Sequence, residues 1–179
     1  QKFGMCLGAI KTYGRGVRAS MDCVSRPHIT QLLVNYMKQA KPNFKFTSIQ
    51  VNKDYLSALH VDSNNMGPSY IVGLGNYIGG TVWQQDVGAC DCKNNFVEMD
   101  GNIPHGTLPF AGTRYTLVYF THMSWAKAKE EDQLQLRDWG FPLPSPDVTM
   151  ADYLPKHESK KFLAFIFLIL FKLLLNRTF

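Results

Sequence analysis

Along most of this chain apolar and polar positions alternate in short runs broken by turn residues, and a helical stripe stands out once. Residues 3–10 are apolar and lead into Lys11-Thr12-Tyr13-Gly14-Arg15-Gly16-Val17-Arg18, which predicts a short strand followed by a glycine-rich basic loop. The loop lacks the Gly-Lys-Ser/Thr ending of a P-loop and the spacing of a dinucleotide fingerprint. A flexible turn and a loop that grips substrate are both open readings. Ser25-Arg26-Pro27-His28 predicts a helix start, with Ser25 as N-cap, Pro27 in the first turn and His28 as a surface or capping residue. Ile29, Leu32, Leu33, Tyr36 and Met37 then fall at helical spacing, a stripe expected to brace the outside of a sheet before Lys41-Pro42-Asn43 ends it.

From 44 to 51 the pattern turns β, with Phe44, Phe46, Ser48 and Gln50 alternating with Lys45, Thr47, Ile49 and Val51. Ser63-Asn64-Asn65-Met66-Gly67-Pro68-Ser69 is a turn and loop cluster. At the mouth of a barrel, Asn64 and Asn65 become candidate substrate contacts; simple turn formation is the alternative. Residues 70–75 and Thr81-Val82-Trp83 read as strands of a hairpin whose turn holds Gly79 and Gly80. Residues 86–95 read as an exposed connection and 96–99 as a strand, and Asp100-Gly101-Asn102 as a turn that delivers His105. Across 113–121, Tyr115, Leu117 and Tyr119 alternate with Arg114, Thr116, Val118 and Phe120. Many short strands with one convincing early helix predict a mainly β fold with flanking helices, a double-stranded β-helix or jelly roll. Two facing sheets leave a narrow mouth where residues distant in sequence converge.

After His122 the character changes. Residues 125–139 are charged and helix-friendly, with Lys127, Lys129, Glu130, Glu131, Asp132 and Arg137 expected on a solvated face. Phe141-Pro142-Leu143-Pro144-Ser145-Pro146 reads as a linker or extended arm. Residues 162–175 are almost continuously apolar, interrupted by Lys172 and flanked by Lys160-Lys161 and Arg177. That run is shorter than the roughly 20 residues a spanning helix needs. An interfacial helix, a tail anchor and a non-native extension of the reading frame all fit it, so membrane contact through the tail is one open reading. The expected division is 1–124 as the β domain with its bracing helix, 125–161 as a helical and proline-rich extension, and 162–179 as an apolar tail.

A length of 179 residues with 45% hydrophobic and 18% charged content is that of a globular chain with a real core. The net charge of +5 permits an acidic partner such as nucleic acid without requiring one. Cys90-Asp91-Cys92 is not zinc-finger spacing, so Cys6, Cys23, Cys90 and Cys92 read as free thiols of a reducing, intracellular setting. The chain begins at Gln1 rather than Met, as a fragment or processed piece would, and shows no secretory signal pattern there.

The chemistry centres on Leu59-His60-Val61-Asp62. In a strand, alternate side chains share a face, so His60 and Asp62 point the same way. His105, in Pro104-His105-Gly106-Thr107, would complete two imidazoles and one carboxylate on one face of a metal. Such a set holds iron(II) and leaves the opposite face open for substrate and oxygen. Arg114, at the start of an apolar strand, can grip a carboxylate-bearing co-substrate in bidentate fashion. Taken singly, a core histidine and a surface arginine are the plain alternatives. His122 and His157 have no partners at ligand spacing and read as ordinary surface residues.

His60-x-Asp62, then His105, then Arg114 resemble the iron(II)/2-oxoglutarate-dependent dioxygenase superfamily. Gly79-Gly80-Thr81-Val82-Trp83 is similar to the glycine turn that often follows the first ligand strand there. The run from Pro104-His105-Gly106-Thr107 to Arg114-Tyr115 resembles the prolyl-hydroxylase-like and TET/JBP-like branches. The likeness covers residues 46–122, less than half of the chain. It implies His60, Asp62 and His105 as catalytic ligands of Fe(II), and Arg114 and Thr116 as the grip on 2-oxoglutarate. O2 would be the second co-substrate, with succinate, carbon dioxide and a hydroxylated or demethylated product. Asn52 and Tyr55 are similar to the Asn-x-Tyr by which AlkB-like enzymes reach 2-oxoglutarate, at a different spacing. A structural hydrogen-bonding role is the alternative for both, and for Tyr55 a place in the core. The TET/JBP-like and AlkB-like features lean towards a nucleic-acid base as substrate, and the His105-to-Arg114 spacing towards a protein side chain. A non-catalytic jelly-roll binding module and a cupin-like metal enzyme without 2-oxoglutarate are the competing readings.

Overall fold

The computed structural model describes residues 2–153. Residues Gln1–Val148 form one compact unit and Thr149–Phe179 a second. Of the second, the described part is a single 3₁₀ turn, Met150–Asp152, closed by a reciprocal capping box between Thr149 and Asp152. The apolar run 162–175, its flanking Lys160, Lys161 and Arg177, and His157 lie outside the described residues. Among the described residues no helix is long and apolar enough to cross a membrane.

In chain order the first unit runs β1 (Phe3–Thr12), β2 (Gly16–Ala19), α1 (Met21–Ser25), α2 (Pro27–Ala40), β3 (Ser48–Lys53), β4 (Ser69–Leu74) and β5 (Tyr77–Gly79). It continues with β6 (Val82–Gln84), β7 (Gly88–Cys90), β8 (Val97–Met99), β9 (His105–Thr107), β10 (Phe110–Gly112), β11 (Tyr115–Phe120) and α3 (Glu130–Asp138). The large sheet has the order β2-β1-β3-β11-β4-β8; a second holds β7-β6-β9 and a third pairs β10 with β5. All these strand pairs are antiparallel, and the whole is a mainly β jelly roll with few helices, as the pattern of short strands predicted.

The large sheet has two distinct faces, and strand parity assigns each residue to one of them. Ile49, Val51, Leu117 and Tyr119 are buried on the face that meets α2, where the Tyr119 hydroxyl donates to the Leu33 carbonyl at 3.0 Å. Phe46 packs edge-on against Tyr119 and against Phe141. Gln50, Asn52, Thr116, Val118 and Phe120 lie on the other face and line a cavity. Beside that cavity Ile71, Val82, Cys92 and Met99 form a second apolar cluster, which joins the large sheet to the β6 sheet.

Several expectations are corrected. The glycine-rich basic loop is a hairpin turn: Lys11 pairs with Val17 and Thr12 with Gly16, and Gly14 and Gly16 take the positive φ that so tight a reversal requires. Ser25 caps nothing; it is the last residue of α1, whose cap is Ser20, and α2 starts at Pro27 behind Arg26. The α2 stripe is rotated, with Thr30, Val34 and Met37 buried while Ile29 and Leu32 are exposed. Thr30 can face the core because its hydroxyl donates to the Arg26 carbonyl. The third strand begins at Ser48 rather than 44.

The glycine pair makes no hairpin between β4 and β6. Instead β5 pairs with β10 while β6 pairs with β7 and β9, so Gly79 and Gly80, both at positive φ, carry the chain from one sheet to another. Cys92, expected in an exposed connection, is fully buried. His122, expected at the surface, is 5% exposed, and its Nδ1 accepts from the Ser124 amide. Burial, with Lys11 nearby, pushes its pKa down and keeps the ring neutral. Asp132 is no solvated charge, for its Oδ1 accepts from the Ala19 amide at 2.8 Å. Phe141 is buried rather than part of a free linker, and Trp125 and Leu136 are buried in the same unit.

Candidate metal centre and its cavity

After β3 the chain leaves the sheet, and the strand expected at 59–62 reduces to one isolated antiparallel bridge between His60 and His105. Each residue's amide donates to the other's carbonyl at 3.0 Å. That reciprocal pair aligns the segment with β9, which β6 holds from its other side. Two residues on, the Asp62 amide donates to the Gly101 carbonyl at 2.7 Å. Two backbone anchors therefore do the work that a regular strand was expected to do.

His60, Asp62 and His105 converge, their candidate ligand atoms all within 4.8 Å of one another. The Nδ1 of His60 lies 2.8 Å from the Ala58 carbonyl and that of His105 lies 2.9 Å from the Ile103 carbonyl. A carbonyl only accepts, so each neutral ring carries its proton on Nδ1 and presents an unprotonated Nε2 to the centre. These Nε2 atoms stand 3.5 and 3.7 Å from the Asp62 oxygens, beyond charge-assisted hydrogen-bond length. Two nitrogen lone pairs and a carboxylate thus face a common point, an arrangement that a cation stabilises. The tautomer fixed by backbone carbonyls is the one metal-ligating histidines use. The donor set fits iron(II).

Asn65, offered by the sequence as a substrate contact, is buried and donates its Nδ2 to Asp62 Oδ2 at 3.2 Å. Asn64 is exposed, lines a neighbouring pocket and uses its carbonyl to accept from the Met123 amide. Gly101, which the sequence showed only as a turn residue, lies against Asn65 and Asp62. A Cβ there would stand 2.8 Å from Asn65 Nδ2 and 3.3 Å from Asp62 Oδ2. Gly101→Ala is therefore expected to turn the carboxylate and weaken metal affinity about tenfold or more, the range for disturbed outer-sphere partners. Calorimetric titration with a divalent metal checks this.

The triad opens on a cavity of about 630 Å³ that Asn52, Tyr55, Arg114 and Thr116 also line. Arg114 is only 2% exposed. Its Nη2 donates to the Gly80 carbonyl at 2.8 Å, and the guanidinium lies over the Tyr77 and Phe110 rings. Its Nε is buried without a partner, and among the described residues no carboxylate pairs with it. Neither neighbour supplies the missing charge, because burial pushes both the Cys92 thiol and the Tyr77 phenol up and keeps them neutral. A buried guanidinium with no counter-ion is costly, and an anion entering the cavity would offset that cost. Gly80 makes the placement possible, since a Cβ there would meet Arg114 Nε at 2.8 Å.

Asn52 accepts from Gln50 through Oδ1 and donates Nδ2 to the Thr116 hydroxyl at 3.3 Å. Tyr55 does not belong to the core; it is half exposed and stands on the cavity wall. Sequence reading missed Gln50, and also the Ser57 and Thr107 hydroxyls, which bond each other at 2.9 Å on the same wall. Strand parity with Asn52 was the signal that could have found Gln50.

The chain shares its fold with solved structures. Among solved structures it is similar to NgTET1 in complex with 5mC DNA, with a TM-score of 0.51 and 17% identity over 75% of this chain and 68% of that one. It is also similar to an oxidoreductase of the 2OG-Fe(II) oxygenase family from Burkholderia pseudomallei, with a TM-score of 0.41 and 16% identity over 67% of this chain and 72% of that one. At such identity the likeness is one of fold. No protein-family model and no curated protein matches the sequence.

Proposed function

We propose that this protein is an Fe(II)- and 2-oxoglutarate-dependent oxygenase that hydroxylates or demethylates an organic substrate. The observation that carries the reading is the pairing, in one cavity, of three convergent donors with a buried arginine that lacks a carboxylate partner. Iron(II) chelated by a 2-oxo acid lets dioxygen oxidise a C–H bond while the oxo acid loses carbon dioxide. His60 and His105 hold Nε2, and Asp62 a carboxylate oxygen, in place for the metal, and Asn65 steadies that carboxylate. Arg114 supplies a rigid fork for the far carboxylate of the co-substrate. Thr116, oriented by Asn52, offers a hydroxyl on the same strand face. The open side of the cavity, at the exposed His60, would be left for substrate. NgTET1 was crystallised with 5mC DNA, which supports a nucleic-acid base as substrate class over a protein side chain. All four cysteines are unpaired, which supports a reducing, intracellular setting.

Anaerobic titration of the protein with iron(II) and 2-oxoglutarate tests the proposal through the visible charge-transfer band of the chelate. A band that saturates at one equivalent of metal is expected. Iron binding without a band would favour the cupin-like alternative, and a folded protein that binds no iron would leave a binding module.

A further inference from the structure

The first twenty residues hold Lys2, Lys11, Arg15 and Arg18 and no acidic residue, in a chain whose net charge is +5. Three of these cations sit on the β1–β2 hairpin, Lys11 on the face turned to the pocket below and Arg18 on the other. None of the three makes an ion pair among the described residues. Of the acids nearby, Asp22 pairs with Arg26 and Asp132 accepts from the Ala19 amide, while Asp62 lines the same pocket as Lys11. At the tip, Tyr13 is 102% exposed, an aromatic ring with nothing packed on it. Below the hairpin lies a second pocket of about 330 Å³, lined by Lys11, Ser63, Asn64 and His122. It shares Cys6, Asp62, Asn65 and Phe120 with the metal cavity, so the two adjoin at the carboxylate ligand.

We propose that this hairpin and the pocket beneath it bind the sugar-phosphate backbone of a nucleic-acid strand, and so pass its bases to the adjacent metal cavity. The delivery rests on the oxygenase reading; the binding does not. Unpaired cations beside hydroxyl and amide donors are the chemistry that holds phosphates, and a bare aromatic ring is a stacking platform for a base of any sequence. Extent argues for a polymer rather than a single small anion. The four paired rungs from Ala9 to Thr12 span about 10 Å at ~3.3 Å per residue, room for about three phosphates at ~3.4 Å of axis each. A membrane surface fits less well, because Tyr13 stands alone at the tip without the apolar face that an interfacial element buries.

Fluorescence anisotropy of the full chain with a labelled single-stranded oligodeoxynucleotide of mixed sequence, over a salt series, is the test. Replacing Lys11 and Arg15 together by glutamine is expected to reduce the magnitude of the salt slope by about 1.4, at ~0.7 per lost phosphate contact. Tyr13→Ala should weaken binding about tenfold and leave the slope unchanged. Both variants should keep the iron(II)–2-oxoglutarate band of the parent. No oligonucleotide binding at low salt, or binding indifferent to the double variant, overturns the proposal. So does hairpin-dependent binding to phosphatidylserine vesicles that the oligonucleotide fails to compete away. Hairpin-dependent oligonucleotide binding in a protein that forms no band would sustain this surface and sink the oxygenase reading.

Discussion

Asp62→Ala should abolish iron(II) binding, with an affinity loss greater than the roughly 10–100-fold seen when only an outer-sphere partner is removed. The carboxylate is the one anionic donor among the three, and it faces both Nε2 atoms. Its side chain is about a third exposed, 36%, and among the described residues its one side-chain hydrogen bond is from Asn65, so its loss leaves the packing intact. Thermal unfolding separates the effect on the metal from any effect on the fold. Iron(II) at about a hundredfold excess over its Kd should stabilise the parent by ~2.7 kcal/mol. That corresponds to roughly 5–10 °C in Tm for a domain of this size. The Asp62→Ala protein should melt near the metal-free parent and show no shift. A metal-dependent shift of equal size in the variant would show that the cation sits elsewhere.

Arg114→Met should lower 2-oxoglutarate affinity by about 100-fold or more. Removing one partner of a buried, hydrogen-bonded charge pair typically costs ~2–5 kcal/mol. The same substitution should leave the Tm of the ligand-free protein nearly unchanged. Replacing a buried charge by an apolar residue of similar volume is often neutral or stabilising, which offsets the bond lost at the Gly80 carbonyl. A structural arginine would behave the other way, with the fold weakened and co-substrate binding spared. Titration of the chelate band beside a melting curve distinguishes the two.

The local part of the site was legible in the sequence. His60 and Asp62 lie two residues apart, and even a single bridge in place of a strand keeps them on one side. Arg114, just before β11, and Thr116 within it were legible through strand parity, and both line the cavity. What stayed hidden depends on approaches between distant segments. Asn65 looked like a loop residue because its tie to Asp62 forms only when the loop folds back against Gly101. His122 looked superficial because its burial comes from the residue before β3 and its own following turn, where its amide donates to Thr47 and its ring accepts from Ser124. The α2 stripe was misread because a threonine whose hydroxyl is satisfied within the helix is as good a core residue as a leucine. The glycine pair was misread because a turn and a close passage past a guanidinium ask for the same residue.

The bridge between His60 and His105 also bears on the order of events in folding. It closes a long stretch of chain with only two hydrogen bonds, so loop entropy opposes it until the surrounding sheet is built. That sheet is itself non-local, since β11 must insert between β3 and β4, a topology that folds slowly. The three donors are therefore expected to meet after the rate-limiting step, where a bound cation acts on the completed structure. Iron(II) should accordingly leave the refolding rate unchanged and act as a brake on unfolding, lengthening the lifetime of the native state.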